Sequence, residues 1–165
     1  MSLKIKKGVP LIDQYDKNGM WGGKFGGNFV PETLKKPIAD LEKLFSKLRR
    51  DKSFVKDRDY YFENYVGAPT PFIKLDNLTD YLGGAQIWAK VVSENPGTAH
   101  KIYNVLVHCL LAKRAGKKYV CTDTGAGMNG KNTAMVAKKF GLKCKIFMGS
   151  IDIQRQQENV KVMKK

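Results

Sequence analysis

Residues 96–101 place a lysine directly after a run of small residues, at the start of a predicted helix. A lysine amine can form a Schiff base with an aldehyde cofactor. The start of a helix also favours a bound anion, and His100 beside Lys101 could contact a cofactor phosphate. Most lysines at helix starts are solvated, however, so this stretch alone is a weak indication of chemistry.

A second loop, residues 122–130, also follows a predicted strand and precedes a predicted helix. Its three glycines would expose backbone N–H groups that suit an anion such as a substrate carboxylate. Asp123 falls at the end of the strand, where a catalytic acid or base is often placed. The glycine spacing matches a dinucleotide-binding pattern, but no acidic residue ends the next strand at 148–149, which disfavours that interpretation. A plain glycine-rich turn is the alternative.

Strands and helices alternate along the second half of the chain. The pattern predicts strands at 87–92, 119–122 and 143–148, and helices at 101–115, 131–140 and from 151 onward. Such alternation with short loops is typical of an α/β fold with an open, mostly parallel sheet. We therefore expect an α/β protein in which N-terminal helices precede this sheet and further helices flank it.

The first half of the chain supplies the elements before the sheet. Residues 1–22 form an irregular lead, and a helix is predicted to open at Pro31 and Glu32, kinked or delayed by Pro37. A second helix is predicted at 53–65, a short strand at 72–75, and a short helix capped by Asn77 and ended by Gly83. Candidate core residues of the second and last helices are Phe54, Tyr60, Tyr61, Tyr65, Ile153, Val160 and Met163.

The composition is that of a globular protein without a membrane span. No apolar run approaches the roughly 20 residues that cross a bilayer, and the start of the chain lacks the apolar stretch of a secretory signal. Cys109, Cys121 and Cys144 form neither a disulfide framework nor a zinc pattern. We therefore expect reduced thiols in a cytoplasmic protein that binds no metal.

The net charge of +15 is concentrated in residues 101–165, which carry 14 basic and 3 acidic side chains. Such asymmetry can mark a nucleic acid or another polyanion as partner. However, 25 of the 30 basic residues are lysine, whereas planar phosphate and guanine recognition favours arginine. We expect mostly solvated helix faces and disfavour nucleic acid. A Lys101 on a continuous basic face would favour the polyanion alternative.

Several stretches, in one order, resemble the β subunit of tryptophan synthase, a family of pyridoxal-phosphate (PLP) enzymes. They are residues 23–34 (GKFGGNFVPETL), 65–71 (YVGAPTP), 77–84, 99–101 with Asn104, 111–117, 124–127 (TGAG), and 147–149 with Asp152 and Arg155. The match is collinear from about residue 23 onward and corresponds to the N-terminal portion of such a chain. The resemblance implies that residues 23–165 are part of a fold-type II PLP-dependent domain, cut within the last helix.

The resemblance implies a function and roles for individual residues. The family joins indole to L-serine to give L-tryptophan with PLP, and it implies an α-subunit partner and β–β association. Lys101 matches the Schiff-base lysine, which also moves the α-proton, and His100 matches its cofactor-contacting neighbour. Asp123 falls where the family has a glutamate that assists indole attack. The loop that holds the substrate carboxylate is matched by Thr124, Gly125, Ala126 and Gly127.

The chain also departs from the family pattern. In the family, three charged residues follow the strand lysine, whereas here Lys90 is followed by Val91, Val92 and Ser93. Glycine and threonine are exchanged at 97–98. Asp123 is one methylene shorter than glutamate, and Met128 and Asn129 replace a Gln-His pair. The family's glycine-rich phosphate loop ending in Ser-Asn does not occur in these 165 residues.

These departures predict weak or absent PLP binding and little activity for the chain alone. The alternative is a non-catalytic paralogue that docks an α subunit or another partner. A related PLP enzyme acting on threonine or cysteine precursors is disfavoured by the match at 23–34.

Overall fold

A computed structural model describes residues 6–165, which belong to two compact units, one ending at Lys43 and the other Leu44–Lys165. The first unit contains a 3₁₀ turn, Leu11–Asp13, and an antiparallel hairpin of β1 (Met20–Trp21) and β2 (Phe25–Gly26). The Trp21 indole Nε1 donates a hydrogen bond of 2.9 Å to the Leu11 carbonyl. The turn is thereby tied to the hairpin.

The helices and strands that follow reproduce the predicted alternation. The helices are α1 (Glu32–Leu48), α2 (Lys52–Tyr61), α3 (Asp76–Leu82), α4 (Lys101–Arg114), α5 (Met128–Phe140), α6 (Ser150–Arg155) and α7 (Gln157–Met163), with a π-helical turn at Phe62–Val66 and a 3₁₀ turn at Val92–Glu94. The strands are β3 (Phe72–Lys74), β4 (Trp88–Lys90), β5 (Tyr119–Thr124) and β6 (Lys143–Met148). None of the helices in the described part of the chain is both long and apolar enough to cross a membrane.

Helix α4 forms the centre of the core of the second unit. It contributes six of the eleven residues of this core, and α2 and α5 pack against it. The core consists of Leu48, Phe54, Val66, Ile102, Val105, Leu106, Cys109, Leu110, Leu111, Val136 and Phe140. The Asp51 carboxylate begins α2 by accepting a 2.8 Å hydrogen bond from the Phe54 amide. Hydrogen bonds from the Ser53 hydroxyl and from this amide lower the pKa of Asp51.

The strands of the second unit pair two by two. β3 and β4 are antiparallel, whereas β5 and β6 are parallel with Tyr119 opposite Lys143 and Thr124 opposite Met148. Burial alternates along β5 and β6, so one face of this pair packs on helices and the other is exposed. The α/β class is confirmed, and the parallel pair is the part of the sheet that positions the site.

Several local predictions were wrong. Asn77 does not cap α3, which begins one residue earlier at Asp76 without a side-chain cap. Pro37 lies inside α1, which begins at Glu32, so Pro37 does not delay the start of this helix. The last helix is divided at Gln156 into α6 and α7. Tyr60 and Ile153 are exposed, whereas Tyr61 packs against the core from α2 and Val160 is buried on α7.

We expect the three thiols to react with iodoacetamide in the order Cys121, Cys144, Cys109. Cys121 is exposed. Burial raises the pKa of Cys144, and burial together with the neighbouring Cys144 raises the pKa of Cys109 to about 12. The thiolate is the reactive form, so Cys109 should be protected. Peptide mapping by mass spectrometry checks the order, and alkylation in denaturant should remove it. Equal rates for Cys109 and Cys121 in the folded protein would contradict the structure.

Candidate functional site

A cavity of about 370 Å³ lies between α4, β5 and the first turns of α5. Its size falls in the range of small-molecule pockets, roughly 300–1,000 Å³. Its lining residues are Lys101, Asn104, Val105, His108, Cys109, Val120, Cys121, Thr122, Asn129 and Thr133. The cavity therefore combines an amine, an imidazole, two carboxamides and two hydroxyls with an apolar floor.

Helix α4 forms the first wall of this cavity through one face. Lys101, Asn104, Val105 and His108 follow at steps of three and four residues, which places them side by side along the helix. Lys101 is the first residue of α4 and is partly buried. The opposite face of α4 carries Ile102 and Leu106, which are fully buried. The packing of that face fixes the rotation of α4 and presents Lys101 to the cavity.

The opposite wall comes from β5 and α5, which a set of hydrogen bonds holds together. Asn129 Nδ2 donates to Thr122 Oγ1 at 2.7 Å and to the Asp123 carbonyl at 3.1 Å. Thr133 Oγ1 donates to the Asn129 carbonyl at 2.8 Å. Asn129 therefore joins the end of β5 to the start of α5, and its side chain lines the cavity wall.

The loop that precedes Lys101 is organised by Asn95, whose side chain is 2% exposed. Asn95 Nδ2 donates to the Ala99 carbonyl at 3.1 Å, and the Ala99 amide donates to Asn95 Oδ1 at 3.4 Å. The Thr98 amide donates to the Asn95 carbonyl at 2.9 Å. One buried side chain thus satisfies both polar groups of a loop residue and fixes the chain two residues before Lys101.

The same loop is pressed against α5 at Gly97. A Cβ atom at this position would lie 2.0 Å from Asn132 Oδ1 and 2.9 Å from Ile102 Cβ. Asn132 is fully buried; its Nδ2 donates to the Met128 carbonyl at 2.8 Å, and its Oδ1 has no hydrogen-bond partner. Only glycine allows this approach of the loop to α5.

The glycine loop between β5 and α5 is held from the other side by α7. Asn159 Nδ2 donates to the Ala126 carbonyl at 2.9 Å. Gly127 has φ 89° and is buried, and a Cβ there would lie 2.7 Å from Asn159 Cβ. Glycine is required at 127 both for the left-handed backbone and for the contact with Asn159. The N-terminal amides of the 13-residue helix α5 follow directly.

The structure brings one of the predicted site residues, Lys101, into the cavity. His100 is exposed at the start of α4, and Asp123 is exposed on the uncovered face of the β5–β6 pair. Neither contributes to the cavity lining, and neither do the loop residues Thr124, Gly125, Ala126 and Gly127. Lys101 is partly buried and lines the cavity, and the polyanion alternative stays a prediction. The assigned roles of the other predicted residues stay predictions.

Sequence reasoning missed most of the other polar cavity residues. His108 could have been found, because it lies seven residues after Lys101 and therefore on the same helix face. Thr122, Asn129 and Thr133 become neighbours of Lys101 only through the packing of α5 on α4 and β5. No local spacing signals that contact. Among the described residues, no group of His, Cys, Asp and Glu side chains could hold a metal ion.

Comparison with known proteins adds relatives of stated function. A family model described as "Pyridoxal-phosphate dependent enzyme" matches residues 64–165. The tryptophan synthase beta chain of Rhodopseudomonas palustris (strain BisA53) is 47% identical over 159 residues, which are 94% of this chain and 39% of the relative. Those of Fusobacterium nucleatum and Pseudomonas syringae pv. tomato are each 46% identical, over 88% and 90% of this chain and 36% of each relative.

The chain thus spans between a third and two fifths of the length of these relatives. The family model covers most of the second unit, including the cavity, both loops and the parallel strand pair. The resemblance to tryptophan synthase beta chains is therefore confirmed. Because the family model matches more than half of the chain, at residues 64–165, the chain belongs to the family of pyridoxal-phosphate dependent enzymes.

Proposed function

We propose that this chain carries the lysine of a PLP-dependent site for the replacement of the L-serine hydroxyl by indole, which yields L-tryptophan. The observation that carries the proposal is the position of Lys101, partly buried at the start of α4 and facing a polar cavity. The beta-chain relatives support the choice of substrates. We further propose that residues 23–165 form the tryptophan synthase β-like region and that the protein works in the cytoplasm, where free thiols remain reduced.

The residues of the cavity fit the aldehyde and the ring of the cofactor. PLP needs an amine to hold its aldehyde carbon and polar groups around its ring. Lys101 supplies the amine, and Asn104, His108, Asn129 and Thr133 supply polar groups in a space of about 370 Å³. When bound, the cofactor withdraws electrons from the α-carbon of an amino acid.

The chain's own residues have distinct parts in this proposal. Lys101 Nζ would hold the cofactor aldehyde and would accept the proton of the substrate α-carbon. The amides at the start of α5 and the loop Thr124–Gly127 bind the carboxylate of serine, because a helix start carries partial positive charge. Asn159 and Asn129 hold this loop from two sides. His100 is proposed to contact the cofactor phosphate.

We also propose that the chain alone binds PLP weakly and turns over little. These 165 residues contain no glycine-rich phosphate loop ending in Ser-Asn. Asp123, which would assist indole attack, lies on the uncovered face of the β5–β6 pair and does not line the cavity with Lys101. An acid placed in this way has no contact with the cavity in which the chemistry is proposed.

The position of Asp123 also favours a second candidate function, a non-catalytic module that binds an α subunit or another partner. In that case an added α subunit would form a complex with this chain, and Lys101 would have no part in it. Two measurements together separate the candidates: co-purification of the wild-type chain and of a Lys101→Ala variant with an α subunit, and PLP binding by the same two chains. A complex formed by both chains without PLP binding favours the module, whereas PLP binding that is lost in Lys101→Ala favours the enzyme site.

We expect a titration with PLP to produce a small visible absorbance band that needs a large excess of cofactor. The band reports the bond between Lys101 Nζ and the aldehyde carbon, so Lys101→Ala should lose it. Lys117→Ala is the matched control, because Lys117 is an exposed lysine that follows the C-terminal end of α4, and it should retain the band. A band of equal size in Lys101→Ala would overturn the proposed role of Lys101. A tight, stoichiometric band would overturn the proposed weakness.

A further inference from the structure

Thr98 has a backbone conformation that its residue type disfavours. Its φ of 53° is in the left-handed region, and among residues 6–165 it is the only residue other than glycine with a positive φ. A β-branched side chain is especially unfavourable there. Backbone strain of this kind persists where the surroundings hold it, and it is concentrated at functional sites. Thr98 lies three residues before Lys101 in the loop that leads into α4.

The side chain of Thr98 is bound by a lysine of the neighbouring helix. Lys131 Nζ, on α5, donates a 2.9 Å hydrogen bond to Thr98 Oγ1. Within the described chain no carboxylate forms an ion pair with Lys131. A cation near the positive end of a helix is electrostatically unfavourable, so neither helix stability nor an ion pair accounts for a lysine at this position. The side-chain hydrogen bond of Lys131 in the described chain is the one to Thr98, at an exposed position.

The bond lies next to a second attachment between the same two elements. Asn132, the residue after Lys131, points its Nδ2 at the Gly97 carbonyl at 3.5 Å and packs its Oδ1 against the Gly97 Cα. Two successive residues of α5 therefore hold two successive residues of the loop. Both elements adjoin the cavity: the loop leads into Lys101, the first residue of α4, and α5 provides Asn129 and Thr133.

We propose that Thr98 and Lys131 are positioning residues that fix the lysine-bearing loop on α5 and thereby set the direction of the Lys101 amine in the cavity. The inference rests on the proposed function of Lys101 and extends it to residues that do not line the cavity. Without the bond, the strained Thr98 backbone relaxes, and the loop and the start of α4 lose their fixed orientation relative to Asn129 and Thr133. Lys101 then meets an aldehyde in the cavity less often in a reactive geometry.

Four variants test this. Thr98→Val keeps the branched shape and removes the hydroxyl, Thr98→Ser keeps the hydroxyl, Lys131→Met removes the donor, and the double variant Thr98→Val/Lys131→Met removes both. Lys118→Met is the control for loss of one positive charge, because Lys118 is exposed and follows α4. Urea unfolding of every variant establishes that it is folded under the assay conditions.

The measured quantity is the initial rate at which PLP and cyanoborohydride modify Lys101, relative to that of the exposed Lys161 in the same sample. We expect Thr98→Val and Lys131→Met each to lower this ratio about fivefold, which corresponds to one hydrogen bond of about 1 kcal/mol. The double variant should fall no further, and Thr98→Ser and Lys118→Met should match the wild type. A role confined to overall stability would not change the ratio, because urea unfolding establishes that every variant is folded under the assay conditions.

A Thr98→Val chain with the wild-type ratio, or losses that add in the double variant, would overturn the positioning role. Hydrogen exchange of the Ala99 to Ile102 amides in the cofactor-free chain provides a readout that does not need the cofactor, and it should quicken in Thr98→Val and Lys131→Met but not in Thr98→Ser. If the wild-type Lys101 reacts no faster than Lys161, the proposed function fails. Unchanged exchange in Thr98→Val would instead show that the bond does not hold the loop.

Discussion

Replacing Gly97 with alanine should destabilise the protein by about 3 kcal/mol, the upper part of the usual range for overpacking a tight site. The added Cβ would lie 2.0 Å from Asn132 Oδ1, 3.0 Å from Asn132 Cγ and 2.9 Å from Ile102 Cβ. Asn132 and Ile102 are both fully buried and belong to packed helices. Neither Asn132 nor Ile102 can move without disturbing the core, so the loop must move away from α5.

Urea unfolding measures this effect, and two further variants make it specific. Gly84→Ala is the matched control: a Cβ there meets only the Leu82 carbonyl oxygen at 3.9 Å, and the change should be within about 0.5 kcal/mol. Asn132→Ala removes the atom that Gly97→Ala meets at the shortest distance. The double variant should therefore lose less stability than the sum of the two single variants. Additive losses, or a Gly97→Ala chain as stable as Gly84→Ala, would contradict the close approach of loop and helix.

Lys101→Ala should reduce the amount of PLP that borohydride fixes to the protein to the background level of unselective lysine modification. Lys101 is the only lysine on the cavity lining among the described residues. Reaction there benefits from an oriented approach of amine and aldehyde, which can be worth several kcal/mol. The exposed lysines offer no such orientation. This is the largest functional effect that the structure predicts for a single substitution.

The sequence predicted the elements around the site well where periodicity and glycine boundaries agree. The strand at 143–148 and the start of α4 at Lys101 were predicted to the residue. The start of α5 was predicted at 131 but lies at Met128. Gly130 looked like part of a turn, whereas in the structure it lies inside the helix. Glycine is needed there for close packing, because a Cβ would meet Thr124, Ile146 and Met163 within 3.0 Å.

The composition of the site was less accessible to sequence reasoning. Lys101 was identified through a resemblance, since its local context alone is a weak signal. The exchange of glycine and threonine at 97–98 was noted as a departure, but its consequence depends on α5: Gly97 is where the helix approaches, and Thr98 is where the backbone turns left-handed. Such consequences arise from contacts about 35 residues apart along the chain, which no local pattern contains.

The most direct test of the central claim is to reduce the PLP–protein mixture with borohydride and to map the modified lysine by mass spectrometry. The chain has 25 lysines, so unselective reaction would spread the label among them according to their exposure. We predict that the label is concentrated on Lys101 at low cofactor concentration, although Lys101 is only partly exposed. A label distributed over the exposed lysines, with Lys101 at or below their level, would contradict its assignment as the cofactor lysine.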